Sequence, residues 1–352
     1  MANSIELIRK YSHETLDEIF QKGAVTSILE RNQNLLKFIN AKTVLLPSIE
    51  MDGLGDYSRS AGYPAGSVSV EWEPHTLEMD RGKEFIVDAM DDEETAGIAF
   101  GSLSNEFTRL HIIPEVDAYR LSTLFSKAEE DNITEGNLTA NKVIEQFNKE
   151  IEGFENDEVG IDQVVGFIST ELDRMLKDST ELQKKITQMD YQAPNGLTFK
   201  VRAYEGIPLI VVPKKRFKTS YVFNDGGAQE GFGFEPTPTE DVYTKTKDLE
   251  VVTGKTYYTV SNGVYTAVEE PADANIENYY EKTSSGAVDI NYMFVHLRAA
   301  LPVKKHAPTK VWTPEENQTH DAYKFQTRLY HGIFTPKNKT VGIRAHIKKA
   351  GV

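Results

Sequence analysis

Ile5, Ile8, Leu16, Ile19 and Phe20 recur at helical spacing through residues 4–31, with polar Ser12 in the one missing turn. Gly23 stands where that helix would break or bend. The stretches NLLKFIN and KTVLLPSIEM that follow read as extended. Then DGLGDYSRSAGYPAGS, residues 52–67, supplies Gly, Ser, Pro and Tyr with almost no aliphatic side chains, the composition of a loop tip. The return limb alternates. Val68, Val70 and Trp72 share one face; Pro74 interrupts; the phase then shifts to Leu77 and Met79 and on to Phe85 and Val87. A period of two with a phase change at proline predicts a bulged or edge strand. Both limbs and the tip make one hairpin-like excursion of about 35 residues from Pro47 onward.

Asp91, Asp92, Glu93 and Glu94 open a helix, their charge suiting the positive end of its dipole. Ala96, Phe100, Leu103, Phe107 and Leu110 continue it as a steady apolar stripe. Pro114 is expected to end this helix, with EVDAYRLSTLFSKAEE resuming as a second. LTANKVIEQFNKEIEGF predicts a third, with Thr139 as its N-cap. QVVGFIS, TFKVRAYEG and IPLIVVP are strand-like, with a short helix, TELDRMLKDS, between the first two. Residues 224–238, rich in Gly and Pro, read as a flexible connector. GKTYYTVSNGVYTAVEEP is a hairpin around Asn262-Gly263. DINYMFVHLRAALPVKK, DAYKFQTRLYHGIFTPK and TVGIRAHIKK return to core strand, and no solenoid-type repeat is evident.

Charge and chemistry narrow the classes. The formal net charge is −15, which disfavours nucleic-acid or anionic-membrane binding as the main role. With no cysteine, disulfides, thiolate catalysis and Cys-ligated metals are excluded. No apolar run approaches the ~20 residues of a membrane span, and the N-terminal stretch lacks the pattern of a signal peptide. The eight histidines are scattered, none in H-E-x-x-H, and His296 within a core strand reads as a satisfied interior residue. FNDGGAQEGFGFE fits neither phosphate-loop pattern. The acidic run from Asp88 to Glu94 lacks the ligand spacing of a calcium loop. No nucleophile motif stands beside a base. Tyr257, Tyr258, Tyr265, Tyr279 and Tyr280 offer stacking faces for sugars but more simply form the core of a small sheet.

Positive evidence lies in the excursion. A two-stranded ribbon is marginal alone in water, so a chain that builds one expects a neighbouring subunit to cover it. At DRGKEFIVDAMD (Asp80 to Asp91), the Glu106–Phe107 pair and IPEVDAYR (Ile113 to Arg120), the chain resembles the major capsid proteins of tailed bacteriophages with the Hong Kong 97-like fold. FKVRAYEGIPLIVVPKKRF, INYMFVHLRAALPVKKH and DAYKFQTRLYHGIFTPKNKTVGIRAH extend the resemblance, in order, over nearly all of the chain outside 239–286.

The resemblance implies an α+β fold with five parts: an N-terminal arm (1–46); an extended loop (47–88); a peripheral domain (89–159 and 307–352) with a spine helix at 91–112; an axial domain (160–238 and 287–306); and an inserted β-rich domain (239–286). It implies a virion structural protein, not an enzyme, without cofactor, metal or catalytic residue. The chain would self-assemble through hexamers and pentamers into an icosahedral head, in the bacterial cytoplasm, away from membranes. Its partners would be a scaffolding protein, a portal, packaged double-stranded DNA bound without sequence preference, and in some systems a decoration protein. Tyr57, Arg59, Tyr63 and Trp72 are the expected inter-subunit contacts, aromatics and Arg being the strongest interface residues; Phe100, Leu103, Phe107 and Leu110 are the expected spine packing. The type member cross-links a loop lysine to a neighbour's asparagine. No Lys lies between Met51 and Asp80 here, so that bond is not expected through this loop. No long scaffolding extension precedes the arm, so a separate scaffold is expected. Lys337, Lys339, Arg344, Lys348 and Lys349 form a basic C-terminal segment, read either as orienting charge across the shell wall or as a solvated tail. An encapsulin-type compartment, and a glycan-binding module built on the insert, are the alternatives.

Overall fold

The longest strand, Ala322–Phe334, organises one half of the molecule. In the computed structural model, which describes residues 23–30, 37–38, 42–57, 59–60, 63, 65–90, 106–178, 184–192, 198–224, 233–238, 242–245, 257–261, 264–268, 280–284, 286–306, 309–317 and 319–349, it pairs antiparallel with Met79–Asp88 from His331↔Met79 to Ala322↔Asp88. Its other edge takes Leu301–His306 and Thr309–Trp312. Phe325 stacks on Phe85, which meets Phe107 edge-on at 4.8 Å, so the sheet packs against the helical segment that crosses it.

That segment runs through Pro114 instead of ending there. A π-helical turn, Thr108–Ile112, leads directly into α1 (Ile113–Ser126). Ile113 N–H reaches back five residues to Thr108 O. This wider turn gives the proline ring room against the preceding carbonyls, the clash that normally breaks a helix. The predicted helix over residues 4–22 and the first part of the spine, 91–105, lie outside the described residues.

The other half is a seven-stranded mixed sheet in the order Ile133–Glu135, Ile343–Ile347, Ile290–His296, Val164–Ser169, Ile207–Val212, Thr198–Tyr204, Ile186–Gln192. Val164–Ser169 is buried along its whole length, as a central strand covered on both faces must be. Its alternate residues serve two cores. Val164 and Ile168 face α2 (Ala140–Asn156) and α3 (Thr170–Asp178), where Val143, Phe147, Ile151, Phe154, Leu172 and Leu176 cover them. Val165 and Phe167 face Leu121 and Leu124 of α1. Phe147 sits edge-on to Tyr204, Tyr292 and Phe294 at 5.1–5.4 Å. Gly166 lets Phe294 and Leu209 close in; a Cβ there would lie 2.7 Å from both. Glu205 and Gly206, both at positive φ, make the two-residue turn between Thr198–Tyr204 and Ile207–Val212.

The structure moves several expected boundaries. Helix α2 and strands Ile133–Glu135 and Ile343–Ile347, expected in the peripheral unit, belong to the seven-stranded sheet. Leu301–His306, expected in the axial unit, pairs with the long strand instead. Residues 24–30 are not a free arm. Ile28 and Leu29 are buried in the core beside Leu121 and Leu124, and the carboxylate of Asp117, itself fully buried, accepts bonds from Val25 N, Thr26 N, Thr26 Oγ1 and Arg216 Nη1 at 2.7–3.1 Å. Arg344, one of the basic residues of the C-terminal segment, is half-hidden in a strand, pairing with Asp157 at 2.5 Å and lying over the Phe154 ring. Thr139 holds the N-cap position of α2, but its side chain makes no capping bond.

The insert forms a separate four-stranded antiparallel sheet in the order Val242–Lys245, Tyr280–Ser284, Tyr257–Ser261, Val264–Val268. The pair Ser261↔Val264 closes its hairpin around the two residues 262–263. Its ends meet where Ala287 N–H bonds Thr237 O at 3.1 Å.

Candidate self-assembly surface

The excursion is a ribbon of Thr43–Met51 and Val68–Thr76, paired without a break from Thr43↔Thr76 to Met51↔Val68. Pro74 causes no bulge. It lies on the outer strand of its sheet, where a missing N–H donor is tolerated. At the far end Asp52 closes the tip: its carboxylate accepts from Ser67 N and Ser67 Oγ, both at 2.7 Å, and these bonds hold it below the usual carboxylate range. Beyond this closure Leu54, Tyr57, Arg59 and Tyr63 all stand exposed, with the rings of Tyr57 and Tyr63 4.9 Å apart.

Residues directly opposite in a ladder share a face. The register therefore puts Leu45, Pro47, Ile49, Met51, Val68, Val70, Trp72 and Pro74 on one face, all apolar, with the Thr43–Thr76 pair at its root end. The opposite face carries Ser48, Glu50, Ser69, Glu71, Glu73 and His75, and only Val44 and Leu46, at the root, are apolar there. Those two are buried against Leu77, Val303 and Tyr330. The ribbon thus roots through one face and presents the other outward: Met51, Val68, Val70 and Trp72 keep 70%, 68%, 55% and 42% of their surface exposed. Alternation on the return strand makes Val68, Val70 and Trp72 visible in sequence. Their partners Pro47, Ile49 and Met51 were missed because a face shared across two strands needs the register.

The root is firm. Leu77 N–H bonds Lys42 O at 2.8 Å, and Tyr330 Oη donates to Leu77 O at 3.3 Å. His75 lies on Phe334 at 5.0 Å. Of the expected spine residues, Phe107 is half-buried between Phe85 and His111. Leu110, within the π turn, is exposed. Phe100 and Leu103 lie outside the described residues.

Among the described residues no group of three His, Cys, Asp or Glu side chains could hold a metal ion, and no helix is long and apolar enough to cross a membrane. His331 and His346 are buried. Desolvation, reinforced by Arg120, Lys304 and Arg81, lowers His331 to about 3, and desolvation lowers His346 to about 4. His296 is half-buried, its Nδ1 accepting from Arg298 N at 3.2 Å.

No family model matches the chain, and no curated protein matches it in sequence. Solved structures do match in shape. The structure titled Gordonia phage Cozz aligns with a TM-score of 0.51 at 10% identity, over 94% of this chain and 87% of that one. The capsid structure of the Cyanophage P-SCSP1u gives 0.50 at 8% identity, over 90% and 86%. The chain has a phage-capsid fold. Mycobacterium phage Che8 gives 0.50 at 10% identity, over 92% and 90%, so the capsid fold extends through nearly the whole of both molecules. In this α+β capsid fold the ribbon is a projection from the sheet of Ala322–Phe334, carried by Met79–Asp88.

Proposed function

We propose that this chain is the major capsid protein of a tailed bacteriophage, closing through hexamers and pentamers into the icosahedral shell that encloses double-stranded DNA. The observation that carries the reading is the ribbon's outward apolar face, borne on a capsid fold. A two-stranded ribbon with an uncovered apolar face is marginal in water, and an exposed apolar patch of this kind marks an interaction surface. A sibling subunit is the occupant that a closed symmetric shell supplies at every position. Tyr57, Arg59, Tyr63 and Trp72 are the proposed contact residues of the ribbon, and Leu110 the proposed contact of the spine. The role is structural, with the work done at interfaces. Scaffolding protein, portal and unspecific contact with packaged DNA complete the partners, assembly takes place in the host cytoplasm, and the insert is a surface knob.

Expressing the full chain with its neighbouring genes and imaging the product by electron microscopy tests the reading. Closed shells of uniform size support it. Soluble monomer under every co-expression and crowding condition refutes it, and shells filled with protein cargo instead of DNA point to the compartment alternative.

A further inference from the structure

Arg81, from the motif DRGKEFIVDAMD, makes a junction whose partners the sequence does not reveal. It projects from the strand Met79–Asp88, which carries the ribbon. Its Nε bonds Glu115 Oε1 at 2.6 Å and its Nη2 reaches Glu115 Oε2 at 3.4 Å, a two-point grip on the first turn of α1. The same guanidinium donates to Gly233 O at 3.0 Å and to Asn224 O. Asn224 and Gly233 flank the ladder of Tyr221–Phe223 with Phe234–Pro236 and bond one another, Asn224 N–H to Gly233 O at 3.1 Å. One side chain therefore holds three separate pieces of chain.

Two further features are built around this junction. Gly233 sits so close that a Cβ there would overlap Glu115 Oε2. Phe223 of the hairpin meets Tyr119 of α1 edge-on at 5.8 Å, one turn beyond Glu115. The hairpin is also the stalk of the insert: Thr237 follows it directly, tied to Ser220 O and to Ala287 N–H.

We propose that Arg81 is a mechanical tie, making the ribbon's supporting strand, α1 and the stalk of the insert move as one body. A charge-assisted, multidentate guanidinium contact is roughly twice as strong per bond as a neutral hydrogen bond and fixes geometry as well. Residues 233–238 are then a clamped connector, contrary to the flexible linker that their Gly/Pro composition suggests. The tie operates inside one chain, so it holds or fails independently of shell formation.

Hydrogen exchange on the full-length chain tests it. In Arg81→Met, which keeps the aliphatic stem, amides at 221–224 and 233–235 should exchange about tenfold faster. Exchange in the ten-pair ladder of Met79–Asp88 with the long strand should stay unchanged. Arg328→Met removes an ion pair with Asp80 from the same two strands and should leave the hairpin as in the wild type. Glu115→Gln should give a smaller acceleration, and Arg81→Met combined with Glu115→Gln should match Arg81→Met alone. Unchanged hairpin exchange in Arg81→Met, additive effects in the double variant, or acceleration spread over the seven-stranded sheet would each overturn the tie.

Discussion

Val70→Asp isolates the ribbon's outward face. Val70 lies mid-face opposite Ile49, between Val68 and Trp72, with 55% of its surface exposed. Fully burying a valine is worth about 1.5–3 kcal/mol, so just over half of that, about 1 kcal/mol, remains for a neighbour to supply. Aspartate forfeits this gain and carries an unpaired carboxylate into the contact, at about 3–5 kcal/mol. The sum, about 4–6 kcal/mol per ribbon, weakens each contact roughly a thousandfold or more. The free chain should barely notice, because at an exposed strand position such a change falls within the ~1 kcal/mol span of strand propensity. Sedimentation gives the concentration at which particles form, and urea unfolding of the dissociated chain gives its stability. Glu71→Gln, on the ribbon's other face, is the control and should assemble normally. Particle formation by Val70→Asp at the wild-type concentration, or a loss of chain stability as large as the loss of assembly, would refute the outward-face argument.

Three other outcomes are open to measurement. Deleting 239–286 should leave closed shells of normal size, since Thr237 and Ala287 already meet; failure to form particles would make the insert structural. Asp117→Ala strips the acceptor from Val25 N and Thr26 N and leaves Arg216 unpaired. It should cost about 3–5 kcal/mol in urea unfolding, with residues 24–30 losing exchange protection, and a cost below ~1 kcal/mol would contradict the buried clasp. His331 and His346 are held neutral at pKa values of about 3 and 4, below the ordinary 6.5. Both are depressed in the folded chain, so the unfolded chain takes up protons first as pH falls. Stability should hold above pH 6.5 and decline between 6.5 and 3, and His346→Phe should flatten part of that decline in a series of thermal melts.

What could be read from the chain depended on whether the signal was local. Val164–Ser169 was legible because a central strand is apolar on both sides, and the insert's hairpin because Asn-Gly specifies a two-residue turn. Pro114 misled, since propensity cannot anticipate a π turn that makes room for the ring. Helix α2 was seen as a helix but put in the wrong unit. Its stripe of Val143, Phe147, Ile151 and Phe154 says that it packs, not on what. Residues 24–30 looked like an arm because their anchor, Asp117, lies about ninety positions away. Arg81 and Glu115 stand inside the quoted motifs, but nothing in the sequence links one to the other, and all four Arg81 bonds go to that carboxylate or to backbone carbonyls.

The ribbon's register explains why one of its faces stays open among the described residues. Val44 and Leu46 are committed to the core through one face, while the neighbouring parity carries eight apolar positions. Sliding the strands by one residue would turn the larger set inward, but it would also pull Val44 and Leu46 out of the core into water, because a single-residue slip exchanges the faces along the whole strand. Burying either set within one molecule exposes the other. Both can be covered at once only when a second surface lies against the outward face while the root stays seated, and in a shell of identical subunits each copy both supplies that surface and needs it.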